Sequence, residues 1–162
     1  MAYREEQRLR NKFLWIIAVI IFALLGLGLW FNKSAGNLVT MYVVTALIVI
    51  AIFAFAASLK LVVTVEDAGI SVVLRWLQSR PVMIKWEDIA AVSQETVNPV
   101  KDFGGWGLRY NRRATGYIFK GREAIRVRLK SGREFVITTD NGKAFLDSVS
   151  AIHPELVQAK TT

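Results

Sequence analysis

The chain has 162 residues, 53% of them hydrophobic, with 21 Lys and Arg against 13 Asp and Glu, one His and no Cys. Without cysteine there is no disulfide, thiolate metal site or cysteine nucleophile, and a lone His153 before Pro154 is a poor basis for a metal centre. The length allows one small domain of about 100 residues beside a strongly apolar N-terminal part.

Residues 1–12 carry Arg4, Arg8, Arg10 and Lys12 against Glu5 and Glu6. This reads as a basic cytoplasmic N-terminus. Two uncharged apolar segments follow, 13–31 and 38–59, 19 and 22 residues long. A helix needs about 20 residues to cross a hydrocarbon core. The expectation is a transmembrane helical hairpin (13–59) in the bacterial inner membrane. Lys and Arg favour the cytoplasmic flank, so both termini are expected there, with two spans. Trp15 and Trp30 sit where interfacial indoles belong, and with Arg8, Arg10 and Lys12 they form the expected interface anchors. A signal peptide has a shorter apolar region. Neither segment holds an ionisable residue, which argues against a transporter or channel.

From Lys60 the pattern changes to a period of two. Leu61, Val63 and Val65 alternate along one strand; Ile70, Val72, Leu74 and Trp76 alternate along the next. Gly69 takes a positive φ in the turn between them. Residues 80–86 form a third strand and 91–97 a fourth, broken by Asn98-Pro99. A glycine-rich stretch, 102–110, leads through basic Asn111-Arg112-Arg113 into a strand over 115–119. Residues 124–130 and 133–139 form the last hairpin. Val127 and Ile125 must share a face with Phe135 and Ile137, which requires an odd-length turn. Lys130-Ser131-Gly132, with Gly132 left-handed, supplies it and sets Arg128 opposite Glu134. Phe145, Leu146, Val149 and Ile152 then make one helical stripe, N-capped at Thr139-Asp140 and stopped by Pro154. Residues 154–162 read as a frayed tail.

Seven strands and a C-terminal helix over 60–153 follow the order of a pleckstrin-homology-like (PH-like) domain. The chain resembles small bacterial membrane proteins that join a transmembrane hairpin to a bacterial PH-like domain. The resemblance rests on Trp86-Glu87-Asp88-Ile89, on the stretch 103–109 and on Gly116-Tyr117, Gly132-Arg133 and Phe145-Leu146. It implies a membrane helical hairpin plus an α+β domain, with about seven antiparallel strands in a partly open barrel closed by a helix. It implies no catalytic residue and no cofactor.

No arrangement of nucleophile and histidine, P-loop or HExxH motif is present. Glu66-Asp67 and Glu87-Asp88 are adjacent pairs that point apart on extended chain. The chain is therefore read as a non-enzyme. Gly104, Gly105 and Gly107 either cradle a phosphate through bare N–H groups or form a bulged strand entry that places Trp106 on the core or the membrane surface. The expected contact surface is Lys101, Trp106, Arg109, Tyr110, Arg112 and Arg113, offered to a protein partner or to anionic membrane lipids. The alternative is a structural subunit of a homo-oligomer or larger complex. Few aromatics interleave with the charge, which argues against nucleic acid.

Overall fold

The computed structural model describes residues 3–8, 18–23, 25–28, 36–111 and 114–158, the side chains of 36–39 and 41 excepted. The chain forms two compact units, Arg10–Ser58 and a second that joins Met1–Leu9 to Leu59–Thr162.

In the first unit, residues 18–23 and 25–28 are helical, and Gly36–Ser58 is a helix, α1. The expected hairpin does not stand. Among the described residues no helix is long and apolar enough to cross a membrane. The two-span inner-membrane placement with both termini cytoplasmic is corrected accordingly, and with it the resemblance to hairpin-bearing membrane proteins. Of the expected anchors, Trp15, Trp30, Arg10 and Lys12 lie outside the described residues, and Arg8 ends a strand.

Among the described residues, the second unit has ten strands in two sheets. The first sheet has the order β1 (Tyr3–Arg8), β2 (Lys60–Glu66), β3 (Gly69–Arg75), β4 (Val82–Lys85) and is antiparallel throughout. The second contains β5 (Ile89–Thr96), β6 (Gly107–Tyr110), β7 (Ala114–Ile118), β8 (Glu123–Leu129), β9 (Glu134–Thr138) and β10 (Val157–Gln158). Its spatial order is β10-β5-β8-β9-β7-β6. The pairs β10/β5 and β7/β9 are parallel. Two short helices complete the unit, α2 (Pro99–Phe103) and α3 (Gly142–Ile152).

The seven-stranded PH-like barrel is therefore also corrected. Three strands escaped the sequence pattern, and each extends a sheet at its edge. β1 is charged, β6 is short and preceded by glycines, and β10 lies in the expected tail. In β1, Tyr3, Glu5 and Gln7 turn inward while Arg4, Glu6 and Arg8 face out. A period-two burial was hidden beneath mixed charge. The strand pairs with β2 from Tyr3↔Val65 to Arg8↔Lys60.

One apolar cluster joins both sheets to α3. It includes Leu61, Val63, Val65, Ile70, Val72, Leu74, Val92, Tyr117, Ile125, Val127, Ile137, Phe145 and Val149. Fully burying such an aliphatic side chain contributes about 1.5–3 kcal/mol. Trp76, expected on this face, is 74% exposed with φ 73°. β3 ends one residue earlier, where the Gln78 N–H donates to the Leu74 carbonyl at 2.8 Å and turns the chain. Gly69 has φ 149°, and a Cβ there would fall against the Ile84 carbonyl oxygen. The β8–β9 register is the expected one: Val127↔Phe135, Ile125↔Ile137 and Arg128↔Glu134. Gly132 has φ 82°, and its N–H donates to the Leu129 carbonyl at 2.9 Å.

Candidate functional site

The candidate surface is built by residues 97–110. Asn98 caps α2, its side-chain oxygen accepting the N–H groups of Val100 and Lys101 at 3.2 Å each. The Asp102 carboxylate accepts the Asn98 N–H at 2.7 Å. Pro99 sits at the helix start, where it loses no internal hydrogen bond. Gly104 ends the helix in the left-handed conformation.

This segment lies over the outer face of the second sheet. Phe103 and Trp106 pack on Val97, Ala114, Ile118, Ala124 and Val136, a second apolar cluster. A Cβ on Gly116 would come within 2.6 Å of the Phe103 ring, so the glycine lets the ring seat directly on β7. Trp106 is thus half-buried support for the surface. The glycines do not form a phosphate cradle. The Gly104 N–H donates to the Val100 carbonyl at 3.0 Å and the Gly105 N–H to the Pro99 carbonyl at 2.8 Å, so both amides are already used.

Along this segment Lys101, Arg109 and Tyr110 are exposed, Tyr110 at 71% and on the opposite face of β6 from Arg109. Among the described residues, neither Lys101 nor Arg109 has a carboxylate within 4.0 Å. Arg112 and Arg113 lie outside the described residues.

Other cations of this unit are engaged differently. Arg126 donates to Glu95 at 2.6 Å and also pairs with Glu134, while Arg128 reaches Glu134 at 3.2 Å. This ladder crosses β5, β8 and β9. Lys120 pairs with Asp140 at 2.7 Å. These charges hold strands together and leave less for a ligand.

The two acidic pairs occupy separate places. Glu66 ends β2, its backbone carbonyl accepting the Trp86 indole N–H at 3.1 Å. Glu87 and Asp88 lie in the single 3-10 turn Trp86–Asp88. His153 packs on the Trp86 ring and lies 2.8 Å from Glu155. Among the described residues no three His, Cys, Asp or Glu side chains gather in a metal-binding group.

The sequence reading missed a polar knot around Glu5. Its carboxylate accepts from Tyr3, from Gln7 at 2.7 Å, from Thr139 at 2.6 Å and from the Asp140 N–H at 2.8 Å. Gln7 is buried and also donates to the Thr138 carbonyl. Burial, then the bond to Glu5, pushes the Tyr3 hydroxyl well above the ordinary tyrosine pKa. The signal was present as Tyr3, Glu5 and Gln7 at alternate positions, but net charge drew attention instead. Compared with protein-family models and with curated proteins, the sequence matches none.

Proposed function

We propose that the β-rich unit is a binding module that engages a protein partner through the surface of α2 and β6. The observation that carries this reading is a pair of exposed cations on one face, Lys101 and Arg109, with no carboxylate partner among the described residues, and an exposed Tyr110 next to Arg109 on the edge strand. Tyrosine and arginine are favoured at binding hot spots because they add contact area and hydrogen bonds together. The packing of Phe103 and Trp106 on the face that carries the cations supports the same reading, since a fixed platform loses little freedom on binding. The test is a photocrosslinking residue at position 110 of the full chain in its native cells. One predominant adduct is expected, and it should vanish when Lys101 and Arg109 are both changed to Ala. A pattern unaltered by those changes would remove this surface from consideration. Anionic vesicles form a second arm, because lipid head groups are the other ligand that the cations suit.

A second reading, an assembly subunit, draws on α1. Val43, Val44, Leu47, Ile48, Ile50, Ile52 and Phe55 are exposed large apolar side chains on one helix, a surface that single chains rarely leave open. Sedimentation equilibrium separates the readings: a monomer at all concentrations, with no co-purifying chain, rules out the subunit.

A further inference from the structure

We infer that β6 is an open sheet edge that takes up an extended acidic segment of the partner as an added strand. This rests on the binding surface proposed above and names how it would be used.

β6 closes the spatial order of the second sheet, and among the described residues no strand lies on its far side. Its pairing with β7 fixes which backbone groups are free. The Asn111 N–H donates to the Ala114 carbonyl at 2.9 Å, which makes 111/114 a hydrogen-bonded pair. Antiparallel pairs alternate between bonded and non-bonded. In the register Tyr110↔Thr115, Arg109↔Gly116, Leu108↔Tyr117, Arg109 therefore bonds to β7. Leu108 and Tyr110 turn their N–H and C=O groups outward. Those four groups are the donors and acceptors that an incoming strand requires.

Side chains set the chemistry of the occupant. Leu108 is half-buried against the main core and Tyr110 continues its line into solvent. That line suits apolar residues at alternate positions of the guest. Arg109 projects on the opposite face, and its guanidinium lies over Gly105. Lys101, from the helix over that face, is exposed as well. Neither has a carboxylate partner among the described residues, so the intervening residues of the guest should be Asp or Glu. A basic segment would meet repulsion, in a chain whose net charge is already +8. The opposite edge, β10, offers only two residues, Val157–Gln158, and no cation among them.

The probes are three synthetic peptides of about ten residues, a length suited to strand addition. One alternates valine with glutamate, one valine with lysine, and one is the acidic peptide N-methylated at alternate amides. Titrated into the full chain, only the first should bind. Its binding should slow hydrogen exchange at the Leu108 and Tyr110 amides. Tyr110→Pro removes an outward N–H that β7 does not use, so it should weaken binding at least about tenfold with unfolding unchanged. If that variant misfolds, N-methylation and exchange still decide. Equal binding of the N-methylated peptide, or exchange unaltered at both amides, overturns edge pairing while leaving a charge-based surface in place. No binding by any peptide also overturns edge pairing, and so does adsorption to anionic vesicles alone. The crosslink at position 110 then judges the surface independently.

Discussion

Gly69 shows how one missing atom fixes a sheet. Its φ of 149° and the Ile84 carbonyl against its face leave no room for a side chain. Gly69→Ala should cost about 2–4 kcal/mol in urea unfolding, combining backbone strain with displacement of β4. Tyr3 gives a pH signature. Its folded pKa is raised, chiefly by burial and next by the Glu5 bond, and burial also raises Tyr117. Above pH 10, the ordinary tyrosine value, the unfolded chain releases protons that the folded chain keeps. The stabilisation is therefore complete below pH 10 and declines as pH rises above it. Tm should fall as pH rises above 10, and Tyr3→Phe should flatten the fall. At this scale the sequence was legible where one residue type admits one conformation. Gly69 and Gly132 were read as positive-φ turns and are so. Trp76 was not, because the alternation of β3 does not reveal that the strand stops at Arg75.

Among elements, long alternating strands declared themselves and short or charged ones did not. β2, β3, β8 and β9 carry β-branched residues at period two, and their registers follow from which faces must be apolar. α3 was visible as a stripe, although Asn141 rather than Thr139 or Asp140 is its cap, accepting the Ala144 N–H at 3.1 Å. α2 was overlooked, yet Asn98-Pro99 is a cap followed by a first-turn proline, a helix start as much as a strand break. The expected contact residues were located by charge and aromaticity alone. Sequence could not separate Lys101 and Arg109, which have no carboxylate partner among the described residues, from Arg126 and Arg128, which hold the sheet. The ladder has its own prediction. Arg126 is 28% exposed and Glu95 13%, with the other Glu95 oxygen buried and unpartnered. Arg126→Leu would strand the Glu95 carboxylate and leave Glu134 with Arg128 alone, and should cost about 2–4 kcal/mol. Arg128 is 54% exposed, so Arg128→Ala should cost less than about 1 kcal/mol. Denaturant midpoints of the two variants should differ in that order.

For the whole molecule, the N-terminal residues belong to the fold. Removing residues 1–8 would uncover β2 along its length and leave Thr138 and Thr139 without their partners in the Glu5 knot. The truncated chain should lose cooperative thermal unfolding. If residues 1–8 served only as a charged anchor, Tm would not change.

The contact between Gln7 and Thr138 spans 131 positions of the chain. During synthesis, at about 5–20 residues per second, the first strand leaves the ribosome long before its buried amide can be satisfied. β2, its neighbour, follows only after the whole of Arg10–Ser58 has emerged. β1, made before β2 and the second sheet, is therefore among the last of these strands to settle. Until then the flank of β2 stands open, and a nascent chain is most exposed to mispairing along that strand.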